Sequence, residues 1–461
     1  MYTLTKNLKF IPILLLILGI VGIAIGFSSA PHTIEEVKEL LHDSHGDGHG
    51  NSHHEVAVKD SHSGSHHEVS SSHDSHDSDA HYEHILHQLH NKPWASLYVA
   101  ALFFFIISLG VLAFYAIQFV SYAGWSPLLF RVMEAITAYL LPGGIIVFLI
   151  LVASVLHWNH LFVWMDPELL DVTSDKYDAL IAGKSGWLNG SFFLVRAAIY
   201  LFFWNLYRKY AVKFSKNQDA EPTGNVWYKK SFKYSAAFLV FFIYSESMMS
   251  WDWIMSVDPH WFSTLFGWYV FASMFVSGIT VIALVTILLK SQGYLPAVNN
   301  SHIHDLAKFM FGISVFWTYL WFSQFLLIWY SNIPEEVTYF ITRINDYKLP
   351  FFGMIVLNFL FPVLLLINSD YKRLNWLVVM AGFIILFGHY VDVFNMIMPA
   401  TVGASWSFGV SEIGALLFFL GLFMFVVFRA LTKTELEPTG NPLLEESKHF
   451  HYYKILLIEY V

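Results

Sequence analysis

The sequence predicts an all-α polytopic membrane protein. Its 461 residues are 56% hydrophobic and 18% aromatic, and only 13% of them are charged. A soluble protein of this length is far less apolar and carries more charge. The apolar residues also gather into long runs, each sufficient to cross the hydrocarbon core of a bilayer as a helix.

Ten such runs define the predicted membrane spans. They occupy residues 10–28, 94–120, 132–157, 187–208, 234–257, 263–289, 306–330, 350–368, 374–398 and 409–429. The first run ends in a sequence that resembles a signal-peptide cleavage site, but it is long for the apolar core of a signal peptide. We therefore expect residues 1–30 to form an uncleaved anchor helix, residues 93–430 the membrane core and residues 431–461 a cytoplasmic tail.

The distribution of basic residues predicts the orientation. If the N-terminus is cytoplasmic, eighteen lysines and arginines fall on inner segments and seven on outer ones, as the positive-inside rule requires. An even number of spans then places both termini in the cytoplasm and the turn Asp258-Pro259-His260 on the outer side. Because the basic residues are spread over short loops, we expect no nucleic-acid partner.

Residues 31–92 form a predicted periplasmic loop of low complexity. Fourteen histidines lie between His42 and His90, mixed with aspartate and serine. Tracts of this kind bind zinc, copper or nickel loosely, because imidazole suits these metals. Their spacing follows no fixed ligand pattern, so we predict a solvated, disordered segment without a defined metal site.

Charged residues inside the predicted spans are the first functional candidates, because a charge at bilayer depth is costly and usually has a partner or a role. At 1.5 Å per residue, Arg196 in the fourth span and Glu246 in the fifth lie at similar depth. We expect them to form an ion pair, which is either structural or part of a proton path. Asp252 lies nearer the outer side, and we expect it to share that region with His389 and Asp392.

The ninth span contains the best relay candidate. His389, Asp392 and Asn395 follow each other at spacings of three residues, so they share one slowly drifting helix face. A carboxylate beside an imidazole orients the ring and favours its protonation. The pair is therefore a proton relay or a quinone contact, or the two side chains simply satisfy each other. Glu134, at the cytoplasmic end of the third span, either snorkels to the surface or joins the same path.

Redox cofactors are not expected in this chain. It has no cysteine, so it cannot hold an iron–sulfur cluster through thiolates or attach a c-type haem covalently. Paired histidines deep in facing spans, which would ligate haem b, are also absent from the sequence. Catalytic residues and metal ligands are not predicted either.

Two long runs carry a family resemblance. Residues 250–272, SWDWIMSVDPHWFSTLFGWYVFA, and residues 305–336, DLAKFMFGISVFWTYLWFSQFLLIWYSNIPEE, resemble the NrfD/polysulfide-reductase-type membrane subunits of bacterial alternative complex III. The chain is most similar to the second subunit of this type in that complex. The resemblance extends over roughly residues 94–430 and leaves out the His-rich loop.

The resemblance implies an architecture and a set of partners. Spans 2–5 and 6–9 would form two four-helix bundles, with spans 1 and 10 at the periphery. The chain would belong to a quinol:cytochrome c or quinol:oxidase oxidoreductase of the bacterial inner membrane. Iron–sulfur clusters and c-type haems would lie on an iron–sulfur subunit and on c-type cytochrome subunits, beside a second NrfD-like subunit and a terminal oxidase. A quinone such as menaquinone is the ligand that this chain could itself contact.

Three functions are compatible with the sequence. In the first, the chain supplies a proton path, and a quinone contact, to the quinol-oxidising complex. In the second, it is a scaffold whose ion pairs hold the bundles together while its surface docks the redox subunits. In the third, it is an independent ion or solute transporter, which should show broken helices in both halves. Only Pro142-Gly143-Gly144 interrupts a span clearly, so the third function is the weakest.

Overall fold

The computed structural model describes residues 2–3, 6–31, 33–44 and 74–452, and these residues are mainly helical. The helices, in chain order, are α1 (Lys6–Ser28), α2 (Ile34–Ser44), α3 (Asp74–Val120), α4 (Phe130–Ile136), α5 (Leu140–Val155), α6 (Ala179–Gly183), α7 (Gly190–Ala220), α8 (Val226–Trp253), α9 (Phe266–Ser291), α10 (Asn300–Ser331), α11 (Pro334–Asn345), α12 (Lys348–Ile355), α13 (Phe361–Leu366), α14 (Asn375–Thr401), α15 (Val410–Leu431) and α16 (Leu444–Lys448).

The predicted loop over residues 31–92 is partly helical. Helix α2 lies inside it, and α3 begins at Asp74, well before the predicted start of the second span at residue 94. Ile85 and Leu89 continue the apolar face of α3 at helical spacing, which explains part of this extension. Most of the His-rich tract, residues 45–73, lies outside the described residues, so a solvated segment there stays a prediction.

Within the described ranges, nine helical segments are long and apolar enough to cross a membrane. They correspond to nine of the ten predicted spans and confirm the all-α polytopic membrane fold. The remaining predicted span, residues 234–257, corresponds to α8. Serines and the acidic residues Glu246 and Asp252 reduce the apolar content of its second half. Helix α8 nevertheless packs along α3 and α7, as a helix of the same bundle does, and it also contacts α9.

The helices form two four-membered rings. In the first bundle, α3 packs on α5, α5 on α7, α7 on α8, and α8 back on α3. In the second, α9 packs on α10 and α14, and the α12–α13 segment closes the ring between α10 and α14. Contacts of α3 with α9 and α14 join the bundles. Helices α1 and α15 pack on each other, and α15 packs on α3. The predicted arrangement of two bundles with a peripheral pair is therefore confirmed.

Both ends of the described chain meet the same connection. Near the N-terminus, the Tyr2 hydroxyl donates to Gln292 at 3.3 Å, and near the C-terminus the Phe450 carbonyl accepts from Asn299 at 2.7 Å. Residues 292–299 join α9 to α10, so we call this side of the molecule the terminal face. The loops of the opposite face also contact one another, because the Lys184 ammonium donates to the Pro259 carbonyl. An even number of crossings agrees with this placement.

Two helices contain irregular turns that shape the interior. A 3₁₀ turn at Thr137–Tyr139 precedes α5, where Pro142 cannot donate a backbone hydrogen bond to the previous turn. A π turn at Val356–Leu360 separates α12 from α13 and carries the fully buried Asn358. Single π turns of this kind often occur at functional sites. Gly388 on α14 lets Asn358 approach, since a Cβ there would lie 2.0 Å from its Oδ1.

Candidate functional site

The second bundle holds a buried carboxylate in a dense hydrogen-bond network. Asp392 on α14 has no exposed surface. Its Oδ1 accepts a short hydrogen bond from Tyr269 on α9, and its Oδ2 accepts from Ser273 Oγ at 2.9 Å and from Trp317 Nε1 at 3.0 Å. Three donors from α9 and α10 thus fix a carboxylate that belongs to a third helix.

His389 lies one turn before Asp392 and joins the same network. Its Nδ1 is 3.5 Å from Asp392 Oδ2 and 2.9 Å from Ser273 Oγ, so the predicted contact between the two side chains is confirmed. A carboxylate at Nδ1 favours the tautomer with the hydrogen on that nitrogen. The other nitrogen, Nε2, is buried and has no hydrogen-bond partner among the described residues. With the hydrogen on Nδ1, Nε2 is therefore an unused hydrogen-bond acceptor in the described structure.

A small cavity adjoins this network. It has a volume of about 20 Å³, and Tyr269, Asp392, Asn395, Arg343 and Tyr339 contribute to its wall. A cavity of roughly 10–15 Å³ on this measure is enough for one water molecule if polar partners surround it. Among the described atoms, Asn395 Oδ1 and Arg343 Nη2 are buried and unpaired. The cavity therefore has the size and the polar lining to hold a water that extends the network.

Arg343 is a member of the site that sequence reasoning missed. The sequence placed it in an outer loop. In the structure it lies on α11 and packs against α14, and only 3% of its surface is exposed. Its Nε donates to the Asn395 carbonyl at 3.1 Å and its Nη1 to the Tyr339 carbonyl at 2.8 Å. The guanidinium also lies 3.3 Å from the centre of the Tyr339 ring. The amphipathic pattern of residues 334–345 was the available signal for a packed helix here.

The site continues from Arg343 toward the opposite face. Trp261, from the loop after α8, stacks on Tyr339 with ring centres 3.8 Å apart. Asp258, in the same loop, interacts electrostatically with Arg343 and is half-buried. His260 is exposed, as predicted for this turn. The order Asp392, cavity, Arg343 and Asp258 therefore leads from the interior to the surface.

Arg196 pairs with Asp252, and the predicted pair with Glu246 is wrong. Arg196 Nε and Nη2 donate to the two oxygens of Asp252 at 2.7 and 2.9 Å. Trp187 Nε1 and the Tyr200 hydroxyl donate to the same carboxylate at 2.9 and 3.2 Å. These four donors come from α7 and the segment before it. Asp252 therefore belongs to a site of the first bundle and, in the described structure, shares no hydrogen bond or ion pair with His389 or Asp392.

Glu246 has a different environment. It is 3% exposed, and Ser250 Oγ donates to its Oε1 at 3.2 Å. Ser247 Oγ lies 3.5 Å from the other oxygen. Across the described ranges, no lysine, arginine or histidine lies within 4 Å of this carboxyl group. Glu246 thus remains a buried acid without a cationic partner, the chemical type that intramembrane relays use.

Glu134 is buried rather than snorkelling to the surface. Arg131 Nη1 donates to its Oε2 at 2.6 Å, and the Tyr115 hydroxyl donates to its Oε1 at 3.1 Å. Arg131 also contacts Asp219 at the end of α7. The sequence alone suggested that this carboxylate reaches water. In the structure, Arg131 neutralises its charge inside the protein. The cluster joins α3, α4 and α7 near the terminal face.

Comparison with known proteins gives no assignment. No protein-family model matches the sequence, and no curated protein matches it. Within the described part of the chain, no group of three or more histidine, aspartate or glutamate side chains is arranged to hold a metal ion.

Proposed function

We propose that this chain is a membrane subunit of a quinol-oxidising electron-transfer complex, and that it carries protons toward the opposite face. The observation that supports this most is the buried His389–Asp392 pair beside a water-sized cavity. Quinol oxidation releases protons, and a path for them needs groups that exchange protons within hydrogen-bond reach of one another.

The sequence of groups suits outward transfer. A proton on His389 Nε2 changes the charge of the ring, and Asp392 beside Nδ1 stabilises that charge. Tyr269 and Ser273 are hydroxyl groups in contact with Asp392 and can both donate and accept. A water in the adjoining cavity would connect Asp392 to Asn395. Arg343 is not a proton carrier, because its guanidinium stays charged. Its role is instead structural: it donates to the Asn395 and Tyr339 carbonyls and contributes polar N–H groups to the cavity wall.

The wider assignment rests on the family resemblance of residues 250–272 and 305–336. Under this proposal, the opposite face is periplasmic, and both termini lie in the cytoplasm of a bacterium. The iron–sulfur subunit, the c-type cytochrome subunits and a second NrfD-like subunit carry the redox centres. A quinone such as menaquinone would bind at or near this chain, and the terminal oxidase or cytochrome would accept the electrons.

The test combines His389→Ala with Asp392→Asn in the assembled complex. We expect slower quinol oxidation per complex, or fewer protons released per electron in proteoliposomes, because the change removes both exchanging groups. The matched control is His304→Ala with Asp305→Asn, a histidine–aspartate pair at the terminal-face end of α10. That control should keep outward proton release. Unchanged turnover and proton release in the assembled His389/Asp392 variant would rule the proposal out.

A scaffold role is the second candidate, and the saturated Arg196–Asp252 ion pair favours it. Such a pair fixes two helices but leaves no free acceptor for a moving proton. A pure scaffold predicts that Arg196→Leu prevents assembly, measured as cytochromes that co-purify with the chain. It also predicts normal turnover per assembled complex in the His389/Asp392 variant, which distinguishes it from the proton path.

A further inference from the structure

A long cleft runs between the outward-facing sides of α5 and α7 in the first bundle. Its volume is about 690 Å³. Leu141, Ile145 and Leu149 form the α5 wall, and Phe202 on α7 lies across from them; each of these side chains is at least 50% exposed. Gly144 contributes no side chain, and the 3₁₀ turn at Thr137–Tyr139 precedes this stretch of α5. The cleft is therefore an apolar groove that is open toward the surrounding membrane.

One end of the cleft is basic. Arg208 and Lys209 line it, beside Asn205. Arg208 Nε donates to Thr137 Oγ1 at 3.2 Å. In the described structure, however, no carboxylate lies within 4 Å of the Arg208 guanidinium or the Lys209 ammonium. Arg208 does interact electrostatically with Glu134, but that carboxylate is already paired with Arg131.

The position of the two cations matches a lipid headgroup. Helix α7 begins at Gly190, and Arg208 follows eighteen residues later, or about 27 Å along the axis at 1.5 Å per residue. The hydrocarbon core of a bilayer is about 30 Å thick. Arg208 and Lys209 therefore lie at the level where acyl chains end and phosphates begin. Lys213 and Lys216 extend the exposed basic stripe beyond them.

We propose that this cleft binds one anionic phospholipid. Its phosphate lies against Arg208 and Lys209, and an acyl chain runs along the apolar wall between α5 and α7. Basic pockets between membrane helices select anionic headgroups in this way, and the guanidinium can form two parallel hydrogen bonds to a phosphate. A zwitterionic lipid fits less well, because its own cation would add to two unpaired positive charges.

The first part of the test removes the two positive charges. It uses the full-length chain, delipidated in a neutral detergent. Phosphatidylglycerol or phosphatidylcholine is titrated in, and binding is read by native mass spectrometry. Arg208→Gln with Lys209→Gln should weaken phosphatidylglycerol binding roughly 25-fold, because each basic residue near an anionic headgroup contributes about a factor of five. Lys229→Gln with Lys233→Gln is the matched control. Both of its lysines are exposed on α8 outside the cleft, and binding should stay as in the wild type.

A second arm fills the cleft without changing charge. Ala198 is exposed and lines the cleft, so Ala198→Phe should fold normally and exclude the acyl chain. Phosphatidylglycerol binding should then fall, while inorganic phosphate should fail to displace the lipid from the wild type. If the Arg208/Lys209 variant proves unstable on heating, phosphatidylglycerol binding by Ala198→Phe alone tests the proposal.

Several outcomes would overturn the proposal. They are equal affinity for phosphatidylcholine, unchanged phosphatidylglycerol binding in both cleft variants, and displacement by inorganic phosphate. A protein occupant is tested in the native complex with Ala198→Cys, which carries the sole thiol of the chain because the sequence has no cysteine. Cross-linking of that thiol to another subunit, with no phosphatidylglycerol retained, would show that a partner helix fills the cleft.

Discussion

Arg196 and Asp252 form a bidentate, buried ion pair that ties α7 to α8. The two nitrogen–oxygen distances are 2.7 and 2.9 Å, and the two residues are 4% and 1% exposed. Trp187 and Phe192 cover the guanidinium, with ring centres 4.2 and 4.3 Å from its central carbon. Because the neighbouring rings exclude water, each charge depends on the other for its stabilisation.

Removing one partner of this pair should destabilise the first bundle strongly. Arg196→Leu leaves the Asp252 carboxylate buried without its cation, which costs about 3–5 kcal/mol. The free energy of unfolding, measured by titration with a denaturing detergent, should fall by that amount. The double variant Arg196→Leu with Asp252→Leu is the control, and it should recover much of the loss. Equal stability of the single variant and the wild type would contradict this role.

Glu246 should tolerate neutralisation far better than Asp252. In Glu246→Gln, the amide keeps a partner for Ser250 and leaves no cation unpaired, so we expect a loss below about 1 kcal/mol. Asp252→Asn instead leaves Arg196 without a counter-charge and should cost several times more. The same unfolding titration compares them. If both variants lost a similar free energy of unfolding, Glu246 would belong to a buried ion pair, as Asp252 does.

The sequence predicted the fold well because long apolar runs and the distribution of basic residues reflect the membrane directly. It failed for the pairing of Arg196 because depth along two helices says nothing about which sides face each other. Glu246 and Asp252 are nearly two turns apart on α8, and the side chain that meets Arg196 on α7 is Asp252. The Arg196 side chain also reaches toward the opposite face, where its Nη1 donates to the Trp187 carbonyl.

The His389–Asp392 contact could be predicted because a spacing of three residues on one helix is a local property. The other partners of Asp392 could not be predicted. Tyr269, Ser273 and Trp317 reach Asp392 only through the packing of α9 and α10 against α14. Arg343 becomes part of the site because α11 folds back beneath the bundle. Such contacts join distant parts of the chain, and one sequence contains no direct signal for them.

Close packing of α1 on α15 should depend on glycine. A Cβ on Gly414 would lie 2.6 Å from the carbonyl carbon of Gly22, so the two backbones touch, as small residues allow in membranes. Gly414→Leu should separate the helices. The free energy of unfolding, measured by titration with a denaturing detergent, should fall by about 1–3 kcal/mol, because overpacking a close contact strains both helices.

The control for this prediction is the same substitution on another helix. Gly312 on α10 faces open space, with nothing near the position of an added Cβ. Gly312→Leu should therefore cause no loss in the free energy of unfolding. Equal free energies of unfolding in the Gly414→Leu and Gly312→Leu variants would mean that glycine is not required at the contact between α1 and α15.

Asp178 should make one loop of the opposite face sensitive to acid. Hydrogen bonds from the Ile181 backbone N–H and from His260 lower the pKa of this carboxyl from 3.8. The ionised form is thus favoured in the folded loop, so its stabilisation is complete above pH 3.8 and is lost as the pH falls through the lowered pKa. Hydrogen exchange of residues 179–183, corrected for intrinsic rates, should accelerate as the pH falls below about 3.8. Asp178→Asn still caps α6 but cannot ionise, so that acceleration should disappear; its persistence would assign it to another group.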